Sequence, residues 1–158
     1  MNNSSLQVQI KNEQSFITLD LKTITEWIKS ILVELNQTDK EVSVLFCDDI
    51  FIQSINSKYF KKLQPTDVIS FSQFEGDDLP FENKILGDIV ISTQTAVKQA
   101  KDLQHSIAKE LFILISHGIL HLLGYEHDVE HPAYSEELAR SMEILEKNLL
   151  QSVFMQNR

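Results

Sequence analysis

The sequence has few of the features that mark secreted, membrane-bound or unstructured proteins. It contains one cysteine, Cys47, so no disulfide can form within the chain, and an apolar run before it predicts a small buried residue. Only 4 glycines and 3 prolines occur, which argues against long linkers. Residues 1–5 lack the basic and apolar regions of a signal peptide, and the apolar run at 111–123 is short for a membrane span. These absences predict a cytoplasmic protein without a membrane partner.

Positive charge is also scarce. The 14 Lys and Arg residues are outnumbered by 23 Asp and Glu residues, giving a formal net charge of −9. A protein that coats nucleic acid through bulk charge is therefore excluded, whereas a nucleic-acid enzyme with a local basic patch is not. The length predicts one domain over residues 1–158, with a core at about 6–150 and a loose tail at 151–158.

Apolar periodicity predicts alternating strands and helices. Strands are expected at 6–10, 42–47, 68–73 and 85–92, an acidic loop at 75–83, and helices after Asp20 and after Asp48 or Asp49. A long helical region, 93–123, is expected to break near His105. Its second half is apolar nearly all round, which is typical of a buried helix. Gly124 predicts its end, and Pro132 predicts the first turn of a last helix. The fold class is α+β: one domain with an about four-stranded mixed sheet and four to five helices.

Three histidines have the spacing of a metal site. His117 and His121 are four residues apart on the buried helix, which places both rings on one face. Gly124 lets the chain reverse, so that His127 can return to the same point. Three neutral imidazoles suit one Zn²⁺ ion and leave a fourth position for water, whose pKa the ion lowers to about 7. The pattern predicts a zinc-dependent hydrolase whose central buried helix carries two of the ligands.

Other residues near the histidines have more than one interpretation. The same spacing occurs in HExxHxxGxxH peptidases, but the position of their general base is Gly118 here. Glu110, two turns before the first ligand, is predicted to orient a ligand from behind. Glu126 can act as a base or as an orienting group. His131 is expected at the surface or at a helix start, although a fourth ligand is conceivable, and His105 is expected to be a cap or a surface residue.

Three motifs resemble the YbeY family of bacterial endoribonucleases. The segment HGILHLLGYEH at 117–127 resembles the family signature. NSKY at 56–59, followed by PTDVISF at 65–71, resembles a second motif, and LGDIVIS at 86–92 resembles a third. The order and spacing also fit, and the resemblance extends over residues 42–137.

The resemblance implies a function in ribosomal RNA maturation. It implies one zinc ion on the three histidines and a single-strand-specific endoribonuclease that acts at the 3′ end of small-subunit RNA and in ribosome quality control. It also implies contact with small-subunit ribosomal proteins or a ribosome-associated GTPase. The family usually has an arginine directly after the tyrosine of the second motif, where this chain has Phe60. Phenylalanine cannot pair with a phosphate, although it can stack on a base.

These considerations assign expected roles to the remaining residues. We predict RNA contacts from Phe60, Lys58, Lys62 and Ser70, although the lysines also fit a solvated helix end. Lys61 and Glu126 are predicted to be catalytic. Asp88, inside an apolar strand, needs a partner, for which a zinc histidine is one candidate.

The expected mechanism leaves two nucleophiles open. Zinc activates a water, and either that water or a 2′-hydroxyl attacks the phosphodiester, while zinc and Lys61 stabilise the developing charge. Two other functions also remain open: a zinc peptidase or amidase, and a non-enzymatic ribosome-assembly factor in which zinc holds the fold.

Overall fold

The computed structural model describes residues 7–72 and 84–156, so the predicted acidic loop at 75–83 lies outside the described residues. The chain forms the elements β1 Val8–Asn12, α1 Leu21–Glu34, β2 Glu41–Cys47, α2 Asp49–Phe60, β3 Val68–Ser72, β4 Ile85–Ser92, α3 Thr93–Asp102, α4 Ile107–Leu122, α5 Glu136–Leu149 and a π-helical turn Leu150–Phe154.

The described strands form one mixed sheet in the order β1-β2-β4-β3. β1, β2 and β4 run parallel, and β3 pairs with β4 in the antiparallel direction. The predicted α+β class with a four-stranded mixed sheet is confirmed. The centre of the sheet consists of the two most continuously apolar strands, as parallel strands covered on both faces require.

Helix starts follow from side-chain caps. Asp20 accepts the Thr23 backbone N–H, and the hydrogen bonds from Thr23 hold the pKa of the Asp20 carboxyl below its usual value. Asp48, rather than Asp49, caps α2. The last helix starts at Glu136 because Ser135 caps it, so the prediction that Pro132 lies in its first turn is wrong.

The sheet packs on helices on both faces. The larger apolar cluster joins one face to α1, α4 and α5, and a smaller one lies under α2 and contains Cys47, Ile52, Ile69 and Val90. Cys47 is 1% exposed, and burial raises the pKa of its thiol to about 12. The thiol is therefore protonated near neutral pH and is not a nucleophile.

The C-terminal segment is more ordered than its sequence predicts. Val153 is 1% exposed in the π-helical turn, and Phe154 lies 5.7 Å from Trp27 and 5.4 Å from Phe112 between ring centroids. The predicted loose tail is therefore wrong up to the end of this turn, because these two apolar side chains complete the cluster between α1 and α4.

The long helical region breaks where it is expected to break. α3 ends at Asp102, and Ser106 caps α4. Ten of the residues of α4 are buried, which confirms the prediction of a central buried helix. At Gly118 an added Cβ would lie 3.0 Å from two carbon atoms of Ile89, so the absence of a side chain lets α4 lie directly on β4.

Gly87 allows the bulge that shapes β4. Its φ is 150°, and an added Cβ would lie 2.1 Å from the carbonyl oxygen of Phe71. We expect Gly87→Ala to lower the free energy of unfolding by about 3 to 5 kcal/mol, because strain and overlap with backbone act together. Urea unfolding followed by circular dichroism measures this loss.

Gly124→Ala is the matched control for that substitution. Gly124 also has a positive φ, 101°, but an added Cβ would meet no atom within 4 Å. Its expected cost is about 1 to 2 kcal/mol, from backbone strain alone. Equal losses in the two variants would contradict the close approach at Gly87.

Candidate metal centre

α4 and the turn after it bring three histidine rings together. His117 and His121 lie one turn apart on the same face of α4. The positive φ of Gly124 then reverses the chain, so that the His127 ring comes back to the other two. The centroid of the His127 ring lies 4.5 Å from the centroid of the His117 ring and 5.3 Å from that of the His121 ring. One ligand nitrogen from each residue lies within 4.8 Å of the other two. The structure therefore brings the rings to a common point, as the spacing predicts.

Hydrogen bonds at the other ring nitrogens set the orientation of two rings. Nδ1 of His117 lies 2.7 Å from Oε2 of Glu146, and Nδ1 of His121 lies 2.9 Å from the carbonyl oxygen of Tyr125. Ionised carboxylates and carbonyls only accept hydrogen bonds, so both Nδ1 atoms carry the proton. Both Nε2 lone pairs are then free for an ion.

The separation of the free nitrogens fits an ion between them. The Nε2 atoms of His117 and His121 are 2.9 Å apart. Two lone pairs at that distance repel each other unless a proton or a metal ion lies between them. Two imidazoles on one tetrahedral zinc ion, with Zn–N bonds of about 2.0 to 2.1 Å, have their nitrogens about 3.3 Å apart. The donor set therefore fits a small divalent ion.

The environment of His121 also favours the neutral form of its ring. Burial holds the pKa of His121 below its usual value, and the neighbouring His117 lowers it further, against the opposing charge of Glu126. Histidine binds metal only when its ring is neutral, so this environment favours the form that binds.

Glu126 lies beside the three histidines, and its hydrogen bonds support the turn. It is 9% exposed, and its Oε2 accepts the backbone N–H groups of His127 at 3.2 Å and Asp128 at 3.1 Å. Its Oε1 lies 3.6 Å from Nδ1 of His121, on the side of that ring away from the nitrogen pair. This placement favours a positioning role over the catalytic role predicted from the sequence.

Two residues predicted to support the ligands lie elsewhere. Glu110 is 3% exposed and bonds to Nε2 of His105 at 2.6 Å, so it joins α4 to the preceding loop. Asp88 pairs with Phe71 across the sheet, on the face covered by α2. Its neighbour Ile89 faces α4, and side chains alternate along a strand. The predicted contacts of Glu110 and Asp88 with a zinc histidine are therefore wrong.

A groove of about 1180 Å³ runs from the histidines to the end of α2 and to β3. Of the predicted RNA-binding residues, Phe60, Lys62 and Ser70 line it. Lys58 and Lys61 are not among its lining residues. The Lys58 ammonium lies over the Tyr59 ring, 5.2 Å from its centroid, and Lys61 takes a left-handed conformation, φ 57°, that ends α2.

Lys61 is not among the residues that line the groove, so this geometry does not support the catalytic role predicted for it, which stays a prediction. Ser70 lines the groove and also donates from its hydroxyl to the carbonyl oxygen of Gly118 at 3.3 Å. It thereby joins β3 to α4.

The sequence did not point to Glu146. It also did not show that Tyr59 and Phe71 pack with Phe60 to form an aromatic wall of the groove. Glu146 follows Met142 by four residues and therefore lies on the apolar stripe of α5, where a carboxylate needs a partner. The position of Glu146 on this stripe is the feature of the sequence that could have identified it.

Phe60 stacks on Phe71 with ring centroids 6.1 Å apart, and Tyr59 meets the same ring edge-on at 5.3 Å.

Among residues 7–72 and 84–156, no helix combines the length and the apolar character that a membrane span requires.

Comparisons with known proteins agree with these features. The family described as Endoribonuclease YbeY matches residues 9–153. A protein named Endoribonuclease YbeY from Syntrophotalea carbinolica is 39% identical over 142 residues, which cover 90% of this chain and 92% of that protein. One of the same name from Carboxydothermus hydrogenoformans is 35% identical over 147 residues, covering 92% and 96%.

A solved structure shows the same fold. The solution structure of a Thermotoga maritima protein superposes with a TM-score of 0.61 at 23% identity, covering 95% of this chain and 93% of that one. At this identity the likeness concerns the fold alone. The matched family and the identity of the relatives over most of their length lead to one conclusion: the chain belongs to the YbeY endoribonuclease family.

Proposed function

We propose that this protein is a zinc-dependent endoribonuclease that cleaves single-stranded ribosomal RNA in the groove beside the three histidines. The observation that carries the proposal is the opening of a preorganised three-nitrogen site into a groove with an aromatic wall. The names of its relatives support RNA as the substrate. The family resemblance supports action at the 3′ end of small-subunit RNA, with small-subunit ribosomal proteins or a ribosome-associated GTPase as partners.

His117, His121 and His127 would hold the ion. When bound, zinc supplies a Lewis acid that lowers the pKa of a water and withdraws charge from a phosphodiester oxygen. Glu146 and the Tyr125 carbonyl hold the Nδ1 protons of the neutral rings, which leaves the Nε2 lone pairs of His117 and His121 for the ion. Both a water and a 2′-hydroxyl remain open as nucleophile, and a 2′,3′-cyclic phosphate product excludes direct attack by water.

The peptidase alternative conflicts with the packing of α4. In HExxH peptidases a glutamate follows the first histidine, but here Gly118 at that position lies against Ile89. A side chain there would require the Ile89 side chain to shift by a few tenths of an ångström. A non-enzymatic assembly factor remains the second candidate, because the histidines join α4, α5 and the intervening turn and an ion could serve the fold alone.

Metal content and RNA cleavage test the proposal together. Protein prepared without chelators is expected to hold one zinc ion per chain by atomic absorption and to cut a single-stranded RNA oligonucleotide. His121→Ala is expected to lose the stoichiometric metal and at least about 100-fold of the cleavage rate, because two ligands hold the ion poorly. Unfolding curves control for loss of fold. If His121→Ala folds cooperatively and still supports ribosome maturation, the assembly factor is the better description.

Glu146 is expected to set metal affinity without being a ligand. Glu146→Gln keeps the shape but replaces the carboxylate that orients His117, so zinc affinity should fall about 10- to 100-fold in a competition assay with a chromogenic chelator. Glu137→Gln is the matched control, since Glu137 is exposed on the same helix and does not line a pocket with any of the three histidines. An equal fall in both variants would show a general charge effect instead.

In this proposal, stacking of an RNA base on the aromatic wall takes the place of the phosphate contact that the usual family arginine would make. Phe60 is 46% exposed although it already stacks on Phe71, so one face of its ring is available to a base without further ordering of the side chain. Base–aromatic stacking contributes about 1 to 3 kcal/mol per base and tolerates any sequence. An RNA base on this ring would place its strand along the groove towards the histidines.

Phe60→Ala is therefore expected to weaken the binding of single-stranded RNA about 5- to 50-fold, measured by fluorescence anisotropy. Phe51→Ala is the matched control, because Phe51 is 44% exposed on the same helix but does not line the groove. Phe60→Arg should recover affinity with a steeper salt dependence, by about 0.7 in the log–log slope. If the Phe51 and Phe60 variants bind equally, stacking at this position is wrong.

A further inference from the structure

A fourth histidine lies in the same groove without belonging to the three-nitrogen site. His131, in the loop between α4 and α5, lines the groove together with the three candidate ligands, and its side chain is 49% exposed. Among the described residues, the group that could hold a metal contains only His117, His121 and His127. The conceivable role of His131 as a fourth ligand therefore lacks support, and its function needs another explanation.

The backbone fixes the position of this ring. The His131 N–H donates to the Asp128 carbonyl at 2.9 Å, and the His131 carbonyl accepts from the Tyr134 N–H at 3.0 Å. The Ala133 N–H donates to Nδ1 of His131 at 3.0 Å. Because Nδ1 accepts this bond, the neutral ring carries its proton on Nε2. The loop thus holds an N–H donor in one orientation.

Among the described residues, no acceptor lies at bonding distance from that donor. The nearest carboxylate oxygen in the described part of the chain, Oε1 of Glu126, lies 3.7 Å from Nε2 of His131, beyond a hydrogen bond. The same oxygen lies 3.6 Å from Nδ1 of His121. Glu126 therefore stands between the two rings, and Nε2 of His131 remains available to a ligand in the groove that the metal-site histidines also line.

We propose that the Nε2–H of His131 donates a hydrogen bond to a non-bridging phosphate oxygen of RNA in the groove. This inference rests on the proposed function and assigns a phosphate contact in the groove of a chain that has Phe60 in place of the usual family arginine. The ring is already oriented, so the bond forms without loss of rotamer freedom. His131 is therefore a substrate-binding residue that places the phosphodiester beside the metal ligands.

His131→Ala is expected to lower kcat/KM for a single-stranded RNA oligonucleotide about 10- to 100-fold, as the loss of one donor to a charged oxygen does. His131→Gln, which keeps an N–H donor of similar reach, should return to within about threefold of the original value. Binding of single-stranded DNA of the same sequence, measured by anisotropy, should weaken in His131→Ala, since its phosphates remain.

Two controls separate this role from others. Zinc content should stay at one ion per chain in His131→Ala, and its loss would show a ligand role and overturn the proposal. Val129→Ala, at a position 70% exposed in the same loop but outside the groove, should cleave normally. Normal cleavage and binding by His131→Ala, in a protein that otherwise cuts RNA, overturns the His131 contact alone. A parent protein that neither binds nor cuts RNA overturns the proposed function itself.

Discussion

The site depends on two hydrogen bonds that are made on the side of the histidines away from any ion. Glu146 and the Tyr125 carbonyl hold the Nδ1 protons of His117 and His121, and only then do both Nε2 lone pairs face each other across 2.9 Å. One acceptor comes from α5 and the other from the turn closed by Gly124. The spacing on α4 therefore does not by itself make a metal site. Docking of α5 and formation of the turn must accompany it, so metal affinity and folding are coupled.

Gly118, the residue that places α4 on the sheet, also limits the chemistry of the site. Gly118 brings α4 onto Ile89, and its carbonyl oxygen accepts the Ser70 hydroxyl from the neighbouring strand. The sheet consequently closes one side of the histidine pair, and the groove opens on the other. In HExxH zinc peptidases the equivalent position carries the general base. Here that position is a glycine packed on Ile89, so the chain lacks the carboxylate that those peptidases use as a base.

Sequence patterns predicted the features of the structure that depend on residues close together in the chain. The break in the long helical region, the buried character of α4 and the convergence of three histidines follow from spacing within a few turns. The partners of Asp88 and Glu110 could not be read in this way, because they depend on which sheet face each strand residue takes and on how a loop folds back. Glu146 lies 29 residues from His117, and Val153 is buried only through packing on α1 and α4. These contacts are long-range consequences of assembly.

The acidity of the chain bears on how it recognises RNA. With a net charge of −9, long-range attraction for a polyanion is absent, and charges more than about 8 Å apart are largely screened at physiological salt. Under the proposed function, affinity then comes from contacts at short range: stacking on Phe60, single donors such as His131, and the ion itself. A duplex hides the faces of its bases, whereas an unpaired base offers one to the ring. A protein that replaces a phosphate clamp with an aromatic face therefore selects unpaired RNA by the same contact that binds it.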